Sequence, residues 1–160
     1  MSKKEKIIVI ILSVLVLFTT LFIFSNSLKN REESGADSSA IVDLVKPVFD
    51  ALLGDDHQVN VNLVVRKAGH LVEFCILAVL VLNLGLSLKR IFDIRLFGYC
   101  LFYVLLIAVF DEFIQIFSGR GSEVSDVLID FCGAIIGFSI TYAVHFIGQK
   151  SKAKKEKKSL

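Results

Sequence analysis

The chain has 160 residues, 54% of them hydrophobic and 21% charged, with a formal net charge of +2, one proline, no tryptophan and 14 phenylalanines. Soluble domains carry about 45–50% apolar residues, so this composition, with a mean hydropathy of +0.69, excludes an ordinary soluble domain. It also excludes a disordered chain, a collagen-like repeat and a disulfide-rich scaffold. An integral membrane protein is the class that remains.

Four apolar runs are each long enough to cross a bilayer as a helix. They cover residues 7–25, 66–88, 96–117 and 125–147. A helix rises about 1.5 Å per residue, so such runs match a hydrocarbon core of about 30 Å. Helices also satisfy their own backbone hydrogen bonds in lipid. The sequence therefore predicts an all-α, four-helix transmembrane bundle.

The first run also has an alternative interpretation as a signal peptide. Lysines precede it, and small residues follow it at Ser25 and Ser27. However, its apolar stretch exceeds the 7–15 residues that are typical of a signal-peptide core. A retained membrane anchor is therefore the favoured interpretation.

The segments between these runs differ in charge. The N-terminus, the loop after the second run and the C-terminal tail together carry twelve basic and three acidic residues, whereas the rest of the chain carries six basic and thirteen acidic residues. Basic residues accumulate on the cytoplasmic side of membrane proteins, so both termini are predicted to be cytoplasmic. We interpret residues 1–148 as one transmembrane domain and residues 149–160 as a basic tail. The tail is expected to contact anionic lipid, and no nucleic-acid partner is expected.

One long connection joins the first and second spans on the predicted outer side. Residues 25–37 are polar and are expected to be irregular. The two serines at 38–39 could cap an amphipathic helix, because apolar residues recur at helical spacing through residues 41–52. Pro47 is expected to kink or divide this helix, and Gly54 is expected to begin the turn that ends it. The helix is interpreted as lying at the membrane interface, either as a lid over the bundle or as a covered loop.

Ionisable residues within the spans are the most informative feature, since a charge at bilayer depth is costly and normally faces the protein interior. On the second span, Arg66, His70 and Glu73 share one helical stripe. Lys67 lies about 100° around the helix and is expected to extend outward. The corresponding polar residues of the third and fourth spans are Asp111, Glu112, Gln115, Asp126 and Asp130.

Topology places these stripes at a similar depth. The second span begins, the third ends and the fourth begins on the predicted outer side, and Arg120 lies in the turn between the third and fourth spans. Gly133 and Gly137 allow another helix to approach the fourth span closely, on the face that carries Asp126 and Asp130. We therefore predict one outward-facing polar pocket, roofed by lipid or by the amphipathic segment.

The alternative is an ion-pair network that only holds the helices together. Two arginines would then face five carboxylates, whereas a purely structural network is expected to have more nearly equal numbers of positive and negative charges. The excess of carboxylates requires protonated groups, a bound cation or the recruitment of Lys67. This imbalance favours a functional pocket.

Several strings of this sequence resemble the VanZ-like membrane family. The first is Arg66-Lys67-x-x-His70-x-x-Glu73-Phe74. The others are Asp111-Glu112-x-x-Gln115-x-Phe117, Arg120, Ser125-Asp126, Asp130, Gly133 and Gly137. The resemblance covers roughly residues 7–146. One departure is Ser25-Asn26-Ser27, where family members often carry a Ser-Ser-Gln-like step; Asn26 offers a similar amide.

The resemblance implies a multi-pass protein of the bacterial plasma membrane with a role in the cell envelope. The name-giving member of the family is associated with low-level resistance to the glycopeptide antibiotic teicoplanin. Its relatives have no generally assigned biochemical activity, so the resemblance does not imply resistance for this chain.

Two functional hypotheses follow from the predicted pocket. In the first, a non-catalytic protein binds a membrane lipid, a lipid-linked cell-wall precursor or a lipidated glycopeptide antibiotic, with Arg66, Lys67 and Arg120 contacting phosphate or carboxylate groups. In the second, an intramembrane hydrolase or transferase uses His70 as an acid or base oriented by Glu73 or Asp130. A variant of the second has His70 and the carboxylates hold a divalent cation.

The sequence favours the non-catalytic hypothesis. A His-Glu-x-x-His string is absent, and His70 has no convincing nucleophile beside it in the sequence. No cofactor or metal is therefore expected. A third hypothesis, a proton or ion pathway, is disfavoured because few polar residues continue toward the cytoplasmic side. The oligomeric state is left open, although a dimer is compatible with so small a bundle.

Overall fold

A computed structural model describes residues 1–54, 58–89, 93–119 and 123–156, with residues 31, 37 and 152–156 described by their backbone alone. These ranges contain helices and no strand. The helices are α1 (Lys3–Leu28), α2 (Arg31–Leu53), α3 (Val61–Lys89), α4 (Ile94–Phe117) and α5 (Val124–Glu156).

Four helices in the described ranges are long and apolar enough to cross a membrane. They are Lys3–Leu28, Val61–Lys89, Ile94–Phe117 and Val124–Ser151. The prediction of an all-α, four-helix membrane bundle is thus confirmed. The helices extend beyond the apolar runs into the polar residues that flank them. For example, α1 begins at a capping box between Ser2 and Glu5. The cytoplasmic location of both termini stays a prediction.

The start of α2 differs from the sequence expectation. The helix begins at Arg31, so the prediction of an irregular segment over residues 25–37 is wrong, and the serines at 38–39 lie inside the helix. Asn30 is the actual cap. Its side-chain oxygen accepts a hydrogen bond from the Glu33 N–H at 2.9 Å, and the Glu33 carboxylate accepts one from the Asn30 N–H at 3.0 Å. This reciprocal capping box explains why the helix starts before its apolar pattern does.

The rest of α2 is one continuous amphipathic helix. Pro47 lies inside it without dividing it, since a proline removes one helical hydrogen bond and the remaining ones are retained. The helix ends at Gly54, as predicted, and this glycine has φ +85°. The rest of the predicted turn lies outside the described residues. Val42 is buried. The exposed apolar face of α2 consists of Ile41, Leu44, Val48 and Leu52.

Helix α3 is the centre of the bundle, because it packs against all four of the other helices described above. Its interface with α5 is the most extensive. Gly133 and Gly137 explain this close approach: a Cβ at either position would lie 2.3 Å from the backbone oxygen of Leu71 or Cys75, respectively. The apolar core includes Val16, Ile23, Phe74, Leu77, Leu82, Val104, Ala134 and Phe138.

Candidate functional site

Three buried ionisable side chains from three helices meet in the bundle. His70 of α3 is 8% exposed, and Asp111 of α4 and Asp130 of α5 are both 0% exposed. The His70 Nδ1 atom lies 3.3 Å from Asp130 Oδ1 and 3.6 Å from Asp111 Oδ2. We refer to these three residues as the His-Asp-Asp cluster. The structure thus brings together residues that the sequence analysis placed at one depth on separate spans.

Helix α1 also reaches this cluster, a contribution that the sequence analysis missed. The Ser27 hydroxyl donates a hydrogen bond to Asp111 Oδ1. Gln115 Nε2 donates to Asp111 Oδ2 and to Glu112 Oε1, at 3.0 Å in each case. The sequence did contain a signal for Ser27, since Thr20 and Ser27 are polar residues seven positions apart, on one face of an apolar helix, and both are buried in the structure. The buried residues on that face are Val16, Thr20, Ile23 and Ser27.

Two members of the cluster, His70 and Asp130, have buried polar atoms that make no hydrogen bond to any described residue. Within the described part of the chain, His70 Nδ1 and both carboxylate oxygens of Asp130 are buried and have no hydrogen-bond partner. The 3.3 Å approach between His70 and Asp130 is therefore a close contact without hydrogen-bond geometry, which is an ion pair when the imidazole is protonated. Burying such atoms unsatisfied costs about 1–3 kcal/mol each.

A cleft lies beneath α2 and beside α3, which we call the α2 cleft. It has two adjoining parts of about 340 and 560 Å³ that share Ser34 and Ser38 of α2 and Arg66 of α3. The smaller part is also lined by His70 and Glu73. The predicted stripe of α3 therefore lines this cleft along its length, and His70 belongs both to the cleft and to the cluster behind it.

The α2 cleft contains two basic side chains, Arg66 and Lys29, and two acidic ones, Glu73 in the smaller part and Glu123 in the larger part. Arg66 lines both parts, and its Nε atom is buried without a hydrogen-bond partner among the described residues. Lys29 donates to Asn26 Oδ1 at 3.1 Å, and Asn26 Nδ2 donates to Glu73 Oε1 at 2.8 Å. Asn26 thus supplies an amide that orients Glu73. These groups together can bind a ligand with an anionic group next to hydrogen-bond donors.

The described residues of the sequence motifs thus lie close together in the structure. A comparison with protein families supports the resemblance that these motifs indicated. The family model described as VanZ/LLP1 matches residues 8–145. The chain belongs to the VanZ/LLP1 family. The resemblance seen in the motifs is confirmed, and the protein is a multi-pass membrane protein of this family. No significant similarity to a curated protein or to a solved structure was found.

One VanZ/LLP1 motif residue, Lys67, differs from its predicted role. We expected it to extend outward, but its Nζ lies 2.5 Å from Asp126 Oδ1 and 3.7 Å from Glu123 Oε2. Asp126 is only 2% exposed, and a buried carboxylate left without a partner is strongly destabilising. Lys67 and Asp126 therefore form a separate ion pair between α3 and α5, outside the His-Asp-Asp cluster.

The remaining motif residues lie at the junction of α4 and α5. Glu112 Oε2 accepts a hydrogen bond from the Glu123 N–H at 3.1 Å, which ties the end of α4 to the start of α5. Gln115 lies between Glu112 and Asp111, as described above. Arg120, predicted to join the pocket, lies outside the described residues. The described motif residues thus divide between lining the cleft, building the cluster behind it and holding α3, α4 and α5 together.

Proposed function

We propose that this VanZ/LLP1 protein is a bacterial plasma-membrane protein that binds the anionic head group of an envelope amphiphile in the α2 cleft. The observation that supports this most directly is Arg66. It is shared by both parts of the cleft, and its buried Nε has no hydrogen-bond partner among the described side chains. A guanidinium group matches phosphate and carboxylate in geometry and charge. Lys29 adds a second positive charge to the same cleft.

The lining of the cleft also suits the rest of an amphiphile. Phe22, Ile41 and Val65 lie in the smaller part beside its polar residues. Apolar surface beside convergent polar groups is the usual character of a ligand site. The candidate ligands are a membrane lipid, a lipid-linked cell-wall precursor and a lipidated glycopeptide antibiotic. Each combines an acidic group with a long hydrocarbon chain, and the carboxylate of Glu73 can accept from their amine or hydroxyl groups.

The test is retention of anionic lipid by purified protein. Wild-type protein, Arg66→Ala and Lys46→Ala are extracted in mild detergent, and bound phosphatidylglycerol and polyprenyl pyrophosphates are measured by mass spectrometry. Lys46 is an exposed cation of α2 outside the cleft lining, so its replacement is a matched control for lost charge. A charge-assisted hydrogen bond is worth about 1.5–3 kcal/mol. We therefore expect Arg66→Ala to lower retention at least about tenfold, with Lys46→Ala near wild type.

Teicoplanin susceptibility gives a second readout, measured with and without the gene and with the Arg66→Ala variant. Susceptibility that depends on the gene and on Arg66 supports a lipidated glycopeptide as ligand. If neither lipid retention nor susceptibility responds to Arg66→Ala, the proposal is wrong.

A second candidate function rests on His70. Its ring lines the α2 cleft, and its Nδ1 faces the carboxylates of Asp111 and Asp130, an arrangement that can orient an imidazole as a general acid or base. We propose as the alternative a hydrolase or transferase that acts on a lipid-linked envelope substrate. Release of phosphate from polyprenyl pyrophosphate by the wild type, lost in His70→Ala while lipid retention persists, would support it. Equal release by both proteins would contradict it.

A further inference from the structure

We infer that the His-Asp-Asp cluster binds a divalent transition-metal ion of the Zn²⁺ or Mn²⁺ class. His70 offers an imidazole nitrogen, and Asp111 and Asp130 offer carboxylate oxygens. Zn²⁺ binds such mixed nitrogen and oxygen ligands, and carboxylates also suit Mn²⁺. The inference concerns the buried side of His70, so it does not depend on what occupies the α2 cleft.

The spacing of the three side chains fits a shared ion. One potential ligand atom from each residue lies within 4.8 Å of the other two. His70 Nδ1 lies 3.3 Å from the nearest oxygen of Asp130 and 3.6 Å from that of Asp111. In a tetrahedral site with bonds of about 2.0–2.1 Å, neighbouring ligand atoms are about 3.3 Å apart. The two distances from His70 Nδ1 are therefore already close to this value, and the carboxylate oxygens of Asp111 and Asp130 lie within 4.8 Å of each other.

The unsatisfied atoms of the cluster point to a ligand independently of this spacing. Asp130 is 0% exposed, and within the described ranges neither of its oxygens accepts a hydrogen bond. His70 Nδ1, which faces Asp130, is buried and unsatisfied as well. Buried polar atoms in native proteins are almost always paired. A cation coordinated by these atoms satisfies them and offsets the two carboxylate charges inside an apolar bundle.

The hydrogen bonds to Asp111 resemble those that orient metal-coordinating carboxylates. Its two oxygens accept hydrogen bonds from the Ser27 hydroxyl and from Gln115 Nε2. Such hydrogen bonds fix the orientation of a coordinating carboxylate, and their loss typically lowers metal affinity about 10–100-fold. Ser27 comes from α1, so four helices contribute to the site.

Asp126 provides a matched contrast on the same helix. It is 2% exposed, nearly as buried as Asp130, but it is paired with Lys67 at 2.5 Å. Its charge is therefore already compensated by a side chain, and it needs no ion. A variant at Asp126 consequently controls for the removal of a buried carboxylate from α5.

The experiment measures metal binding by the full-length protein in detergent. After treatment with a chelator, wild type, Asp130→Asn, Asp126→Asn and Ser27→Ala are titrated with Zn²⁺ and with Mn²⁺, and the bound metal is counted by mass spectrometry. We expect about one ion per chain for wild type and Asp126→Asn. Asp130→Asn should lose at least tenfold in affinity, and Ser27→Ala should bind about 10–100-fold more weakly.

A measurement on wild-type protein covers the case in which Asp130→Asn does not fold. Added Co²⁺ should produce visible absorption bands that disappear when one equivalent of Zn²⁺ is added. Failure of the wild type to bind any of these ions, or equal binding by a folded Asp130→Asn or His70→Ala variant, overturns the inference. Arg66→Ala should retain the metal, so failure of the proposed head-group binding and failure of this inference give different results.

Discussion

The close approach of α3 and α5 makes Gly133→Ala a sharp test of how the cluster is assembled. A Cβ at this position would lie 2.3 Å from the backbone oxygen of Leu71, whereas ordinary contact begins near 3.4 Å. Backbone cannot rotate away, so the helices must separate locally by roughly 1 Å. Because His70 and Asp130 lie within one helical turn of this contact, their 3.3 Å approach should lengthen beyond ion-pair range.

The expected cost of this separation is about 1–3 kcal/mol, the usual range for overpacking a well-packed interior. Gly148→Ala is the matched control, because Gly148 lies on the same helix and a Cβ there meets no atom within 4 Å in the described structure. Both variants gain up to about 1 kcal/mol in helix propensity, so their difference isolates the contact with Leu71.

The assay is the midpoint of thermal unfolding in detergent, together with the metal content of each variant. At about 2–4 °C per kcal/mol, Gly133→Ala should unfold roughly 2–12 °C below Gly148→Ala and should bind less Zn²⁺. If the two variants unfold at the same temperature, α3 and α5 are not packed through this glycine, and the reasoning about the cluster fails with it.

Three further predictions follow from the same structure. Lys67→Met should destabilise the protein by about 1–3 kcal/mol because buried Asp126 loses its partly exposed ion-pair partner, and the double variant with Asp126→Asn should recover much of this loss in thermal unfolding. Ser27→Ala should destabilise by about 1–3 kcal/mol, since Asp111 loses a buried donor, whereas Ser39→Ala, on an exposed position of α2, should stay near wild type. Reporter fusions at either terminus should fluoresce as green fluorescent protein and be inactive as alkaline phosphatase; active phosphatase would contradict the predicted cytoplasmic termini.

The four spans were readable from the sequence because lipid imposes a simple rule: each backbone group must be satisfied within its own helix, so apolar length alone identifies the helix. The depth of the polar residues followed from connectivity. The sequence did not show which side chain each charged residue contacts. Lys67 and Arg66 are adjacent and both positively charged, yet one pairs with Asp126 while the other lines the cleft. That difference depends on the rotation of α3 against α5, which is determined by packing at Gly133 and Gly137.

The start of α2 illustrates a different cause of error. Apolar periodicity predicted a helix only from the serines at 38–39 onward, because residues 25–37 carry little apolar pattern. The Asn30 and Glu33 capping box was nevertheless present in the sequence. Local hydrogen bonding at a helix terminus can thus extend a helix over polar residues that no membrane or core requires. Because α2 begins at Arg31, its first turns carry Ser34 and Ser38, which line the cleft together with Arg66.

The excess of acidic over basic residues near the pocket is resolved locally, mostly by neutral donors. Asp111 is satisfied by a hydroxyl and an amide, Glu112 by a backbone N–H and an amide, and Glu73 by an amide. Asp126 forms an ion pair with Lys67. Asp130 is the exception: its oxygens accept no hydrogen bond from the described residues, and its neighbours in the cluster are His70 at 3.3 Å and the carboxylate of Asp111. In a purely structural network, Asp130 would be expected to have a hydrogen-bond donor, as the other four acidic residues have. The pattern of satisfied acids around one unsatisfied acid therefore favours a site for an added ligand over a structural network.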